Sequence, residues 1–178
     1  MAEKPGAWLD DMARHVLTHG LNTASLRPLA AAAGTSDRML IYHFGNKDGV
    51  IAALLTHLAE MFTDALAQGG TDRARSPKAL VAQVVALQRR PEMAGFLRVW
   101  FDILSAAGQG NDAHRATGGQ IIDRFRAWIA ARLPEDDPDP QTTADACLTL
   151  IEGMALMDML GHTALADRAL ARLLGDAP

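Results

Sequence analysis

Hydrophobic positions recur along most of the chain at the three-to-four-residue spacing of one face of an α-helix. Between residues 7 and 18, Trp8, Leu9, Met12, Val16 and Leu17 fall on one stripe, with Asp10, Asp11 and Arg14 between them and Gly20 following as a stop. Ser25 is placed to cap a second helix with Pro28 in its first turn, where a missing amide is tolerated. That helix runs through Leu29 and four consecutive alanines and ends at Gly34. Thr35 and Ser36 form a turn, and Ser36 caps a short helix predicted over Asp37 to His43, whose first-turn acid suits the positive end of the helix dipole. After Phe44 and Gly45, Asn46 caps a long helix that opens with Lys47 and Asp48 and carries Val50, Ile51, Leu54, Leu55, Leu58, Met61 and Phe62.

The stretch GGTDRARSP stops the long helix. A new one is predicted after Ser76, carrying Leu80, Val81, Val84, Val85 and Leu87, and the next opens at Pro91. On the latter, Met93, Phe96, Leu97, Trp100 and Leu104 line one face while Arg98 and Asp102 fall away from it. GQGNDAHRATGG reads as a glycine-rich connector, passing from about Ala113, and by Gln120, into a helix with Ile121, Phe125, Trp128 and Ile129 on one stripe. PEDDPDP ends it as a solvated acidic turn. From Gln141 to about His162 the chain is apolar nearly all round, which predicts burial on more than one side, against its own domain and against a partner subunit. A last helix over Leu165 to Leu174 is expected to turn Leu165, Ala169, Leu170, Leu173 and Leu174 inward and Arg168 and Arg172 outward.

Composition sharpens this to an all-α fold. The 178 residues are 49% hydrophobic and only 5% aromatic, and no extended alternation of β-branched residues gives a strand anywhere to sit. The single cysteine, Cys147, has no intramolecular partner and lies in an apolar helical pattern, where a buried thiol is expected. No apolar run reaches the roughly 18 to 20 residues of a membrane span, and MAEKPGAWLDDM has neither the apolar centre nor the cleavage signal of a secretory peptide, so a cytoplasmic protein is expected.

A formal net charge of −4 excludes a protein that coats nucleic acid through bulk charge. Any grip on DNA must be local, built from a few cations, hydroxyls, backbone amides and helix amino termini. Candidate chemistry of other kinds is thin. His15 and His19 lie four apart but lack a third metal ligand, and no nucleophile with a base at workable spacing, paired acids or cofactor motif accompanies them. Neither a metal, a cofactor nor an enzymatic activity is expected.

Short helix, glycine turn and short helix is the helix-turn-helix arrangement, with the alanines allowing close crossing of the two helices. In detail, SLRPLAAAAGTSDRMLIYHFGNKDGVIAALL resembles the amino-terminal DNA-binding domain of TetR family transcriptional regulators, over roughly Trp8 to Leu55. The matching positions are Ala30, Ala33, Gly34, Ser36, Leu40, His43, Phe44, Gly45, Lys47 and Asp48. The pattern departs at Ile41, where the family usually has tyrosine, and at Asp37, where it usually has a basic or small polar residue.

The resemblance implies a three-helix helix-turn-helix domain over residues 1–47 and a helical ligand-binding and dimerisation domain over 48–178, with the final two long helices forming a four-helix dimer interface. It implies Arg38 and Met39 at base edges, the arginine on guanine and the methionine on a thymine methyl, with Asp37 capping its helix or accepting from a cytosine amine. Arg27 reaches a base or a phosphate, and Ser25, Ser36, Tyr42, His43 and Lys47 form the phosphate set.

A two-fold dimer on an inverted-repeat operator follows, most simply as a repressor released by a small, mostly apolar effector. The expected effector residues are Met93, Phe96, Leu97, Trp100, Phe101 and Leu104, then Phe125, Trp128, Met154 and Met157, with Asp158 and His162 as a polar pair facing either the cavity or the dimer partner. The competing reading is a helical small-molecule-binding protein or enzyme whose motif no longer reads DNA, favoured by Asp37 and the low basicity.

Overall fold

The computed structural model describes residues 5–68 and 73–173, and every regular element among them is helical. The α-helices are α1 (Pro5–His19), α2 (Leu26–Ala32), α3 (Asp37–Phe44), α4 (Lys47–Gln68), α5 (Pro77–Gln88), α6 (Ala94–Gly108), α7 (Asp112–Ala130), α8 (Pro140–Met159) and α9 (Thr163–Leu173). Short 3-10 turns at Leu21–Thr23 and Pro91–Met93 precede α2 and α6. The chain forms two compact units, one made of the chain through Phe62 together with Ala94–Ile121, the other of Thr63–Met93 and the chain from Ile122 onward. This is a division by packing, whereas the expected boundary after Lys47 is a division by role.

In the first unit, Trp8, Met12 and Val16 of α1 are buried with Leu29, Ala30 and Ala33, Leu40, and Val50, Leu54, Leu55 and Leu58 of α4. Val99 and Ile103 of α6 complete that core, with Phe96 and Trp100 packed against it. Helix α6 crosses α1 at Gly95, where a Cβ would stand 2.7 Å from the Leu17 carbonyl oxygen, so the crossing distance depends on a residue without a side chain. Two polar contacts fix the same crossing. The Arg98 guanidinium donates to the Thr18 carbonyl at 3.1 Å, and the Asp102 carboxylate accepts the Leu21 amide at 2.9 Å. Helix ends carry orphan carbonyls, and these side chains serve the end of α1 and the turn after it. Arg98 and Asp102 therefore leave the apolar face of α6, as expected, only to meet the chain around the end of α1.

The second unit packs α5, α8 and α9 together. Leu80, Val81, Val84 and Val85 of α5 are buried, as are Ala144, Cys147, Leu148, Ile151 and Met154 of α8. Burial pushes the Cys147 thiol up to about 11, so it stays protonated at neutral pH. Arg89 donates to both oxygens of Asp158, at 2.8 and 3.0 Å, and to Asp167 at 2.8 Å, joining the ends of α5, α8 and α9.

The structure alters several expectations. Of the segment read as a connector, DAHRATGG is helical, in keeping with the helix expected from about Ala113 and not only from Gln120: Asn111 caps α7, its side-chain oxygen accepting the His114 amide at 3.0 Å, and Gly118 is buried. Leu165 does not turn inward, being 46% exposed, and Ala166 occupies the buried position of α9 instead. The Leu173 side chain and Leu174 lie outside the described residues. Helix α4 is long and apolar enough, by length and composition alone, to cross a membrane, with a mean hydropathy of 1.4 over its 18-residue window. Its Val50, Leu54, Leu55 and Leu58 are spent on the first unit's core.

Candidate nucleic-acid interface

The turn between α2 and α3 is built by backbone hydrogen bonds that only a left-handed glycine permits. Gly34 has φ +63°, its amide reaches the Ala31 carbonyl at 3.2 Å, and the Thr35 amide reaches the Ala30 carbonyl at 2.9 Å, closing the end of α2. Ser36 then starts α3 in an extended conformation, its hydroxyl accepting the Met39 amide at 3.3 Å. Ser25 holds the equivalent position before α2 but its hydroxyl makes no capping bond; it is exposed, as is Arg27.

Helix α3 is held by one side and bare on the other. Leu40 is fully buried and Ile41 and Phe44 are half-buried, whereas Asp37, Arg38, Met39, Tyr42 and His43 are exposed. Tyr42 is 79% and Met39 40% exposed, so neither is explained by core packing. The His43 ring stands edge-on to Trp8 of α1, centroids 5.0 Å apart, and edge-on to Tyr42 at 5.2 Å, which orients the exposed aromatic pair from behind.

The junction of α3 and α4 is equally constrained. Gly45 closes α3 with φ +88°, its amide on the Ile41 carbonyl. The Asn46 side chain accepts the Gly49 amide at 2.8 Å, and a Cβ on Gly49 would lie 2.1 Å from the Phe44 carbonyl oxygen. Only glycine allows the first turn of α4 to sit this close to the last carbonyl of α3, and that approach places the exposed Lys47 beside the end of α3. A further tie, His57 Nε2 to Asp10 at 2.7 Å, links α4 to α1. Gly49, Arg98 and Asp102 are thus positioning residues that the periodicity did not reveal. For the last two, the signal was a spacing of four on one helix face.

The residues expected at an effector site do not form one cluster within either unit. Phe96, Leu97, Trp100, Phe101 and Leu104 belong to the first unit, where Phe96 and Trp100 pack against the core. Met93, Phe125, Trp128, Met154, Met157, Asp158 and His162 belong to the second. There the rings of Phe125 and Trp128 lie 5.9 Å apart, and the Arg132 guanidinium covers the indole at 3.9 Å. The expected pairing of Asp158 with His162 is corrected: Asp158 is taken by Arg89, and the exposed His162 instead donates its backbone amide to the Met157 carbonyl.

The first unit is thus a helix-turn-helix module of the DNA-binding class, with a buried scaffold behind an exposed second helix. Residues 11–54 match the profile of bacterial regulatory proteins, tetR family. The chain is 28% identical over 153 residues to the HTH-type transcriptional regulator PksA of Bacillus subtilis (strain 168), covering 83% of this chain and 74% of that protein. In fold it resembles a TetR-family transcriptional regulator from Rhodococcus sp. (TM-score 0.71, 23% identity, 96% of this chain and 95% of that one). It also resembles the multidrug binding protein EbrR in complex with ethidium (TM-score 0.69, 26% identity, 97% of this chain and 98% of that one). Residues 11–54 thus carry the sequence pattern of the tetR family of bacterial regulatory proteins, and the chain as a whole is similar to transcriptional regulators of that kind.

Proposed function

We propose that this regulator is a cytoplasmic repressor that binds an inverted-repeat operator as a two-fold dimer and leaves it when a small, mostly apolar effector binds. The observation that carries the DNA reading is the face of α3, where arginine, methionine, tyrosine and histidine stand exposed on a helix whose other side is locked by Leu40. Arg38 and Met39 read base edges in the major groove, and Asp37 accepts from a cytosine amine or stabilises its own helix end. Ser25, Ser36, Tyr42, His43 and Lys47 hold phosphates, with Arg27 reaching a base or a phosphate. The absence of a capping bond at Ser25 leaves its hydroxyl suited to that task.

Dimerisation is supported by exposed apolar residues around the end of α8. Leu156, Met159 and Leu160, with Leu165 of α9, are 42 to 61% exposed, and apolar side chains gathered on helix faces in this way mark a protein interface. The effector reading draws on the second unit, where the buried Trp128 Nε1 has no hydrogen-bond partner, a donor that an effector's acceptor atom would satisfy. EbrR, similar in fold, is a multidrug binding protein crystallised with ethidium, an aromatic cation, which fits an effector with aromatic surface. Release is then a population shift driven by the effector's preference for the conformation that does not match the operator. Helix α4, whose residues through Phe62 belong to the first unit and the rest to the second, is the covalent lever.

A mobility-shift assay on the DNA flanking the protein's own coding region tests this reading. A retarded, salt-sensitive complex is expected, lost on adding effector; no complex with any such fragment at low salt would overturn it and favour a helical binding protein without DNA function.

A further inference from the structure

The corner between α8 and α9 carries the exposed apolar residues on which dimerisation is proposed, Leu156, Met159 and Leu160 along and at the end of one helix and Leu165 on the other. Only Leu160 to His162 separate the two helices, with Gly161 at φ +76° and the His162 amide bonded to the Met157 carbonyl at 2.8 Å. Whether those four side chains make one surface depends on how α9 is set against the end of α8.

A third element reaches that corner. The Arg89 guanidinium, at the end of α5, donates through Nε and Nη2 to the two oxygens of Asp158 at 2.8 and 3.0 Å, and the same Nη2 donates to Asp167 of α9 at 2.8 Å. One nitrogen thus joins both helices. We propose that Arg89 is a positioning residue of the dimer surface, a cation that holds α9 against the end of α8 so that the apolar residues of both present one face to a second copy of this chain. The inference rests on the proposed dimer and adds to it the residue that shapes its surface.

Charge gives Arg89 more than a packing role. One cation faces two carboxylates, so loss of the guanidinium would leave Asp158 and Asp167, both bonded to its Nη2, as neighbours repelling each other across the corner. The Asp158 side chain is only 19% exposed, and water screens that repulsion less than it would at an open surface. The bidentate pairing with Asp158 also fixes the plane of the guanidinium and so aims the third bond at Asp167. The other end of α5 reaches α9 as well, the Lys78 ammonium donating to the Ala171 carbonyl at 3.2 Å, so α5 is the frame on which α9 is set. Ala166 is buried, and that packing keeps α9 on its unit when the ion cluster is broken; the orientation of α9, not its presence, depends on Arg89.

Sedimentation equilibrium of the full chain without DNA reads the dimer dissociation constant. Arg89→Ala is expected to raise it about tenfold, with helicity by circular dichroism unchanged. Combining Arg89→Ala with Asp167→Asn, which removes one of the two repelling charges, should recover part of that loss. Sodium chloride at about 1 M, where the screening length falls to about 3 Å, should narrow the gap between Arg89→Ala and the native chain. A residue that only stabilised the fold would lower the urea midpoint and show neither recovery. If Arg89→Ala loses its helicity, Arg89→Gln, which keeps length and loses charge, takes its place; loss of helicity in both would make Arg89 a residue of the fold and overturn the inference. A dimer constant unmoved by the loss of Arg89, or a loss that neither Asp167→Asn nor salt recovers, would overturn it while leaving the dimer standing. A native chain that sediments as a monomer overturns both.

Discussion

Arg38 and Lys47 are both exposed cations beside the same helix, yet their chemistry differs. The planar guanidinium matches the two acceptors of a guanine edge, while the ammonium is a point charge suited to phosphate. Arg38→Ala is therefore expected to relax sequence preference and cost about 1–3 kcal/mol at its base, and Lys47→Ala to weaken all sequences alike and lower the salt slope by about one. Competition binding across operator variants and salt concentrations distinguishes the two; identical behaviour would dissolve the division into reading and positioning residues. Elsewhere, the Arg126 guanidinium bonded to Asp145 holds that carboxyl below its usual range. A carboxyl depressed in the folded state stabilises above its unfolded pKa of about 4 and loses that contribution as pH falls through the lower folded value. The melting-temperature advantage of the native chain over Asp145→Asn should thus be full near neutrality and shrink below about pH 4, and added salt should reduce it at neutral pH.

At the scale of elements, what fixes α3 is close approach. Gly49→Ala would set a Cβ 2.1 Å from the Phe44 carbonyl oxygen, a backbone atom that cannot swing aside. A loss of about 1–3 kcal/mol in denaturant unfolding is expected, with DNA affinity falling further than stability because Lys47 is displaced relative to α3. Asp102→Ala tests the contact of α6 with the turn before α2: it strands the Leu21 amide, at a cost of about 1–3 kcal/mol, whereas Asp102→Asn, which keeps an acceptor oxygen, should recover most of it. Urea denaturation of the three variants would decide. The helices themselves were legible in the sequence because capping residues and periodic apolar positions are local signals. Ser36, Asn46, Gly34 and Gly45 act where their chemistry placed them. The approach of Gly49 to Phe44 and the crossing at Gly95 were not legible, since a glycine inside a helical pattern looks the same whether its missing side chain is needed or not.

For the whole molecule, the amphipathic character of α8 is the informative feature. Its sequence is apolar nearly all round, and folding buries the stripe from Ala144 to Ala155 while leaving Leu156, Met159 and Leu160 exposed. Leu160→Glu, at a position already 61% exposed, should leave the fold of the single chain intact and shift sedimentation from dimer to monomer. Operator affinity should fall with it, because one reading helix covers only half the site. A monomeric native chain at micromolar concentration would contradict the proposed assembly.

The sequence by itself determined most of the helices, the caps at Ser36 and Asn46 and the helix-turn-helix arrangement, because each depends on neighbours within a few residues, whereas the cap expected of Ser25 makes no hydrogen bond. Tertiary structure alone decided the rest. It gave Asp158 to Arg89 rather than to His162, sixty-nine residues separating the two partners, and put Asp102 on the Leu21 amide across a separation of eighty-one. It also divided the expected effector residues between two compact units. Periodicity records which face of a helix is buried, and it carries no record of what lies against that face.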